Sequence, residues 1–100
     1  MKKIYKYGLN LDYRGMGWRL PIPKDSIIRH VGEQNSQIYL WIEIDDDYLL
    51  PKVDNGCLPN EDVRIFYIFG TGEYLPFHLN FIGTVQMKNN LVWHVYEETR

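Results

Sequence analysis

Cysteine is almost absent from this chain of 100 residues, which contains only Cys57. A disulfide within the chain is therefore impossible, and a reducing compartment fits this composition. The sequence places no histidine where it would activate the thiol, so we predict no catalytic role for Cys57. Long apolar segments are also missing. The opening MKKIYKYGL therefore predicts neither a signal peptide nor a membrane span, and we expect no membrane partner.

The sequence also lacks an excess of positive charge. Its 11 Lys and Arg residues are outnumbered by 13 Asp and Glu residues, which gives a formal net charge of -2. A protein that binds a nucleic-acid polymer needs a basic face, so we exclude that class of partner. One basic cluster does occur, at Lys2, Lys3 and Lys6. We interpret it as a solvated strand edge that discourages edge-to-edge pairing.

Convincing helical periodicity is missing too, whereas short alternating segments are frequent and aromatic residues reach 15%. This pattern predicts a single all-β domain over residues 1–100, with little or no helix. The expected architecture is an antiparallel sandwich or small open barrel of about six to seven strands. Strands are predicted at residues 2–11, 18–20, 26–31, 37–45, 63–70, 81–87 and 91–96.

The longest apolar run, VRIFYIFGTG at residues 63–72, is the expected centre of the fold. Both of its sides are apolar, which predicts a central strand covered on both faces. Two prolines, Pro21 and Pro23, end the second strand and exclude it from a central position. Polar residues 32–36 predict a five-residue hairpin loop.

Two longer loops are expected, at about residues 46–62 and at residues 73–80, and both carry large apolar side chains. One small sheet cannot easily cover these side chains together with a two-sided apolar strand. The sequence therefore predicts a homo-oligomer, most simply a dimer.

No catalytic or metal-binding constellation can be recognised. The three histidines His30, His78 and His94 are scattered, and Asp45-Asp46-Asp47 lacks the spacing and glycine of an EF-hand loop. No pairing of a nucleophile with a base is evident. We therefore predict that the protein is not an enzyme and has no metal or other cofactor.

Three segments of the sequence carry a family resemblance. They are IYKY at residues 4–7, LPIPKDSII…LW at residues 20–41, and FGTG…FIGTVQ…LVWHVYE at residues 69–97. With these motifs the chain resembles a family of short, functionally uncharacterised bacteriophage and prophage proteins. The resemblance implies a phage origin and a location in the host cytoplasm, but no established activity. The family usually has histidine directly after GTG, where this chain has Glu73, and segment 45–61 is longer here.

The GTG motif offers one candidate ligand site. The backbone N–H groups of Gly70, Thr71 and Gly72 could form a concavity for an anion, with the Thr71 hydroxyl as a further donor. The alternative is a strand-ending turn that requires glycine. His94 is interpreted mainly as a hydrogen-bonded, partly buried histidine. The aromatic candidates for an interface or a stacking pocket, as opposed to loop and core packing, are Tyr39, Trp41, Tyr74, Phe77 and Trp93.

Two functions follow for a small non-catalytic phage protein. The first is a binding protein that antagonises host defence, either by blocking a host protein or by sequestering an anionic nucleotide. In the nucleotide version, Gly70, Thr71 and Gly72 hold the phosphates. The other contributing residues would be the donors His94 and Arg64 and the stacking residues Trp93, Tyr74 and Trp41. Glu73 would repel phosphate, which favours a host protein. The alternative is a structural or accessory phage protein without a small ligand.

Overall fold

The computed structural model describes residues 1–45 and 61–99. It contains seven strands and one short 3-10 turn, Leu11–Tyr13, which confirms the all-β prediction. The strands are β1 (Lys2–Leu9), β2 (Trp18–Pro23), β3 (Ile27–Gln34), β4 (Gln37–Asp45), β5 (Glu61–Gly70), β6 (Leu79–Gln86) and β7 (Val92–Glu98). In these residues no helix is long and apolar enough to cross a membrane.

The loop predicted at residues 46–62 ends two residues earlier than predicted, because Glu61 and Asp62 already belong to β5. The rest of that loop, including Cys57, lies outside the described residues.

The strands form two antiparallel sheets rather than a closed barrel. Three strands are ordered β1-β4-β3 and four are ordered β2-β5-β7-β6. The sheets face each other and approach most closely where β3 of one sheet passes β6 of the other. The fold is therefore an open two-layer sandwich.

The core lies between the two sheets. On β4, Ile38, Leu40, Ile42 and Ile44 point inward and are at most 2% exposed, and the residues between them are half-buried, as the alternation predicted. The opposite sheet supplies the other half of the core. Its buried apolar residues are Ile22, Phe66, Ile68, Val85, Met87 and Val95.

Strand β5 lies inside its sheet, between β2 and β7. The prediction that both of its faces are covered is wrong for part of the outer face. Phe66 and Ile68 face the core, and Phe69 on the outer face is 5% exposed, but Val63 on that face is 47% exposed and Tyr67 is half-buried. The reason is the architecture: a sheet in a two-layer sandwich has a second layer on one face only.

Strand β2 does not end at Leu20, as predicted, but continues through Pro21 and Pro23. It is an edge strand paired with β5 alone, so prolines are tolerated where no ladder hydrogen bond to a second neighbour is needed. The prediction that it is not central is confirmed. The extension also places Ile22 in the core, where it is fully buried.

The loop predicted at residues 32–36 is in fact a two-residue hairpin turn. Residues up to Gln34 pair with β4, and only Asn35 and Ser36 remain in the turn. Both have positive φ values, 53° and 65°, as in the tight hairpin turns whose backbone twist matches that of the flanking strands. The turn before β7 contains Asn90 at φ 68°, as expected for a left-handed asparagine.

Candidate functional site

The GTG motif forms a turn at the end of β5. The Glu73 N–H donates to the Gly70 carbonyl oxygen at 3.3 Å, and Gly72 has φ 91°, which glycine adopts far more readily than other residues. The Glu73 carboxylate folds back and accepts a hydrogen bond from the Gly70 N–H at 2.9 Å. One donor of the expected anion site is thus already occupied by an anion from the same chain.

His94 lies on β7, opposite Phe69 and next to the turn. Its Nε2 is 2.9 Å from the Thr71 hydroxyl oxygen, and its Nδ1 is 3.0 Å from the Thr84 hydroxyl oxygen. In a neutral imidazole one nitrogen donates and the other accepts, so one threonine accepts while the other donates. The ring is fixed at both ends. The hydrogen-bonded histidine expected from the sequence is therefore present.

The turn and His94 enclose a small depression of about 210 Å³, which Phe69 and Tyr96 also line. Ligand pockets typically occupy about 300–1,000 Å³, and this depression lies below that range. Within the depression both imidazole nitrogens of His94 are engaged by the threonine hydroxyls.

Two residues expected in the same site lie elsewhere, and a third reaches the turn only from the core side. Trp41 lies on the outside of the other sheet, 5.4 Å from the His30 ring, and Arg64 is buried between the sheets, so neither can contact a ligand at the turn. Trp93 pairs with Gly70 and its ring lies against that glycine, but it packs on the core on the face of β7 opposite to His94. Because side chains alternate along a strand, Trp93 and His94 cannot contact one ligand from the same face.

Arg64 has an interior role instead. Its guanidinium donates to the Glu97 carboxylate, with one Nη2–Oε1 distance of 2.7 Å, and to the Ser26 carbonyl oxygen at 2.7 Å. Both charged residues are less than 10% exposed. The pair joins β5 to β7 inside the sandwich and satisfies both buried charges.

Beside the turn lies an aromatic layer on the outside of the four-stranded sheet. We call it the outer aromatic face. Its members are Val63, Tyr67, Phe69, Phe77, Phe81 and Tyr96. The Tyr67 and Phe69 rings stack at 6.2 Å, and Phe77 meets Tyr67 edge-on at 5.2 Å.

The outer aromatic face remains partly open to solvent. Phe81 is 59% exposed and Phe77 is 45% exposed, and Tyr74, in the loop before Phe77, is 95% exposed. Phe69 is covered, because Tyr96 packs edge-on against it at 5.9 Å. Sequence reasoning named Tyr74 and Phe77 but missed Phe81 and Tyr96. Alternation with the buried Val95 was the available signal for Tyr96, whereas the irregular pairing between Phe81 and Gly83 left no such signal for Phe81.

Charges of both signs border this face. Burial raises the pKa of Tyr67, the nearby Glu98 carboxylate raises it further by its charge and a hydrogen bond, and Arg19 opposes the shift. Tyr67 therefore remains a neutral donor at physiological pH. The face thus combines an apolar centre with a polar border, which is the anatomy of protein interfaces.

Metal chemistry has no support in the part of the chain that the structure describes, since no three His, Cys, Asp or Glu side chains there are grouped to hold an ion.

A family model described as a domain of unknown function (DUF7352) matches residues 1–100. The chain belongs to this family. A search of the curated proteins finds no match, and a search of the solved structures finds none either. Membership of DUF7352 assigns no activity to the chain.

Proposed function

We propose that this DUF7352 protein acts by binding another protein, without catalysis, and that its binding surface is the outer aromatic face. In line with the phage origin implied by the sequence resemblance, the proposed partner is a host protein, such as a defence protein, whose surface the phage protein blocks. The observation that carries the proposal is the exposure of Val63 and Phe81 on one sheet face, together with the exposed Phe77 that packs on Tyr67 of that face.

The composition of the face supports a protein partner. Aromatic side chains are enriched at the centres of protein interfaces, where they bury a large area at little cost in conformational entropy. Single exposed apolar residues are normal, but contiguous apolar patches mark interaction sites. Tyr67, Phe69, Tyr96 and Phe81 form a continuous chain of ring contacts, so this patch is contiguous.

The alternative target, an anionic nucleotide held at the GTG turn, has less support. The Glu73 carboxylate already occupies the Gly70 N–H, and it would repel a phosphate group. Arg64, the proposed cation, is committed to Glu97. A host protein contacting the aromatic face does not meet these obstacles.

The experiment is site-specific photo-crosslinking in extract of the host. A photoreactive residue replaces Phe81 in one variant and Ile4 in a matched control, since these side chains are 59% and 56% exposed on outer faces of opposite sheets. We expect one host protein to crosslink at position 81 and not at position 4, and to form a complex when both proteins are purified. Equal crosslinking at both positions would refute the proposal. It would also be refuted if no protein that crosslinks at position 81 forms a complex with the purified chain.

A further inference from the structure

A second surface, at one end of the sandwich, has chemistry that the outer aromatic face lacks. Two adjoining depressions of about 610 and 380 Å³ lie where β1 ends and β4 begins, and both are lined by Leu11 and Ser36. We call them together the end groove. Each is within the size range of about 300–1,000 Å³ in which small-molecule sites are found.

The larger depression offers groups that bind hydroxyls and rings. It is lined by the half-buried indole of Trp18, the Asp12 carboxylate and the amides of Asn10 and Gln37. The Asn10 side-chain oxygen accepts a hydrogen bond from the Asp12 N–H at 2.9 Å, and the Gln37 side-chain oxygen accepts one from the Tyr39 hydroxyl at 3.2 Å. Both amides are therefore oriented, and within the described residues their NH₂ groups make no hydrogen bond.

The smaller depression is positively charged. Arg14 lies over the Trp93 ring with its guanidinium carbon 5.4 Å from the ring centroid, and Lys88 lines the same space. Across residues 1–45 and 61–99, neither cation forms an ion pair. The stacking fixes Arg14 in place while it leaves guanidinium N–H groups for an acceptor.

We infer that the end groove binds a phosphorylated nucleoside. The phosphate is held by Arg14 and Lys88, since these two cations have no ion-pair partner among the described residues and a planar guanidinium suits phosphate oxygens. The ribose hydroxyls donate to Asp12, a role that carboxylates play in nucleotide sites. The base stacks on Trp18 and accepts hydrogen bonds from the Asn10 and Gln37 amides. A bare phosphate would leave the larger depression empty, and an uncharged sugar would leave both cations unpaired.

This site differs from the depression at the GTG turn and from the outer aromatic face, although the Trp93 ring lies against Gly70 of the turn. None of its lining residues belongs to either surface. The inference therefore does not depend on the proposed protein partner, and either can fail without the other.

The test uses tryptophan fluorescence of the full chain carrying Trp41→Phe. That substitution removes the indole outside the groove and leaves Trp18 and Trp93 as reporters. The protein is titrated with the common ribonucleoside monophosphates, with the matching free nucleosides, with ribose phosphate and with inorganic phosphate. Arg14→Gln and Asp12→Asn are compared with Lys24→Gln, which removes an exposed cation at the opposite end of the sandwich.

We expect saturable quenching by at least one monophosphate, at lower concentration than by its nucleoside or by inorganic phosphate. Arg14→Gln should raise the dissociation constant about tenfold or more, because a charged hydrogen bond is lost, while Lys24→Gln leaves it unchanged. Asp12→Asn should weaken the monophosphate but not inorganic phosphate. The inference is overturned if no monophosphate binds at millimolar concentration. It is also overturned if inorganic phosphate binds equally well, or if Arg14→Gln and Lys24→Gln behave alike.

Discussion

Gly83 on β6 lies directly against the side chain of Val31 on β3, the point at which the two sheets of the sandwich meet. A Cβ atom on residue 83 would overlap with Val31 Cγ1. Val31 is 8% exposed and β-branched, so it has little freedom to move away. Glycine at this position therefore allows the two sheets to approach on this side, next to the irregular pairing between Phe81 and Gly83.

This contact predicts that substitutions at Val31 and Gly83 change the free energy of unfolding in a non-additive way. Gly83→Ala should lower the free energy of unfolding by about 1–3 kcal/mol, as overpacking of a filled core does. Adding Val31→Ala makes room for the new methyl group, so the double variant should lose less stability than the sum of the single variants. Urea unfolding of the four proteins measures the coupling. Strict additivity would show that the sheets do not meet at this contact.

A second prediction concerns the buried ion pair. Arg64→Met leaves the Glu97 carboxylate without its guanidinium in an interior position, and such losses cost about 3–5 kcal/mol. Arg64→Met combined with Glu97→Leu removes both charges and should recover part of that loss. Chemical denaturation compares the two variants with the parent. A double variant less stable than Arg64→Met would contradict the assignment of Arg64 to an interior pair.

The third prediction concerns alkaline pH. Burial, together with the charges of Tyr5 and Glu61, raises the pKa of Tyr7 above its ordinary value of 10.0. The unfolded chain therefore loses this proton first as the pH rises. The contribution of Tyr7 to stability is complete below about pH 10 and is lost as the pH rises through the higher folded pKa. Tyr7→Phe cannot ionise, so its free energy of unfolding should fall less steeply above about pH 10 than that of the parent. Equal slopes would contradict the shift.

We further propose that two copies pair through the outer aromatic face when no other partner is present. Light scattering should then give twice the chain mass of 12.0 kDa at high concentration, falling towards the single-chain mass on dilution. Phe81→Thr removes an exposed ring without adding charge, and it should give the single-chain mass throughout. If the parent also stays at the single-chain mass, the proposed dimer is wrong. That result would not bear on binding of a host protein.

Much of the fold can be predicted from the local pattern of apolar residues and prolines in the sequence. The bounds of β4 are those that the alternation of Ile38, Leu40, Ile42 and Ile44 predicts, and the prolines correctly exclude β2 from the centre of its sheet. The two-residue turn was missed because Asn35-Ser36 lacks the glycine that usually marks such turns.

The candidate site was less predictable, because it depends on partners distant in sequence. Arg64 looked available as a ligand donor, since nothing near it indicates that Glu97, 33 residues later, neutralises it. The outer aromatic face also combines residues from β5, β6 and β7, whose order in the sheet differs from their order in the chain. Strand order of this kind is set by packing between elements, which a single sequence does not display.

The most direct test of the outer aromatic face as a protein-binding surface is the affinity of the purified partner for two matched variants, Phe81→Thr and Ile4→Thr. The two side chains are similarly exposed, and they lie on opposite sheets. We predict that Phe81→Thr weakens binding about tenfold or more, as loss of an aromatic anchor does, whereas Ile4→Thr leaves the affinity within about twofold of the parent. Equal affinities for the two variants would contradict it.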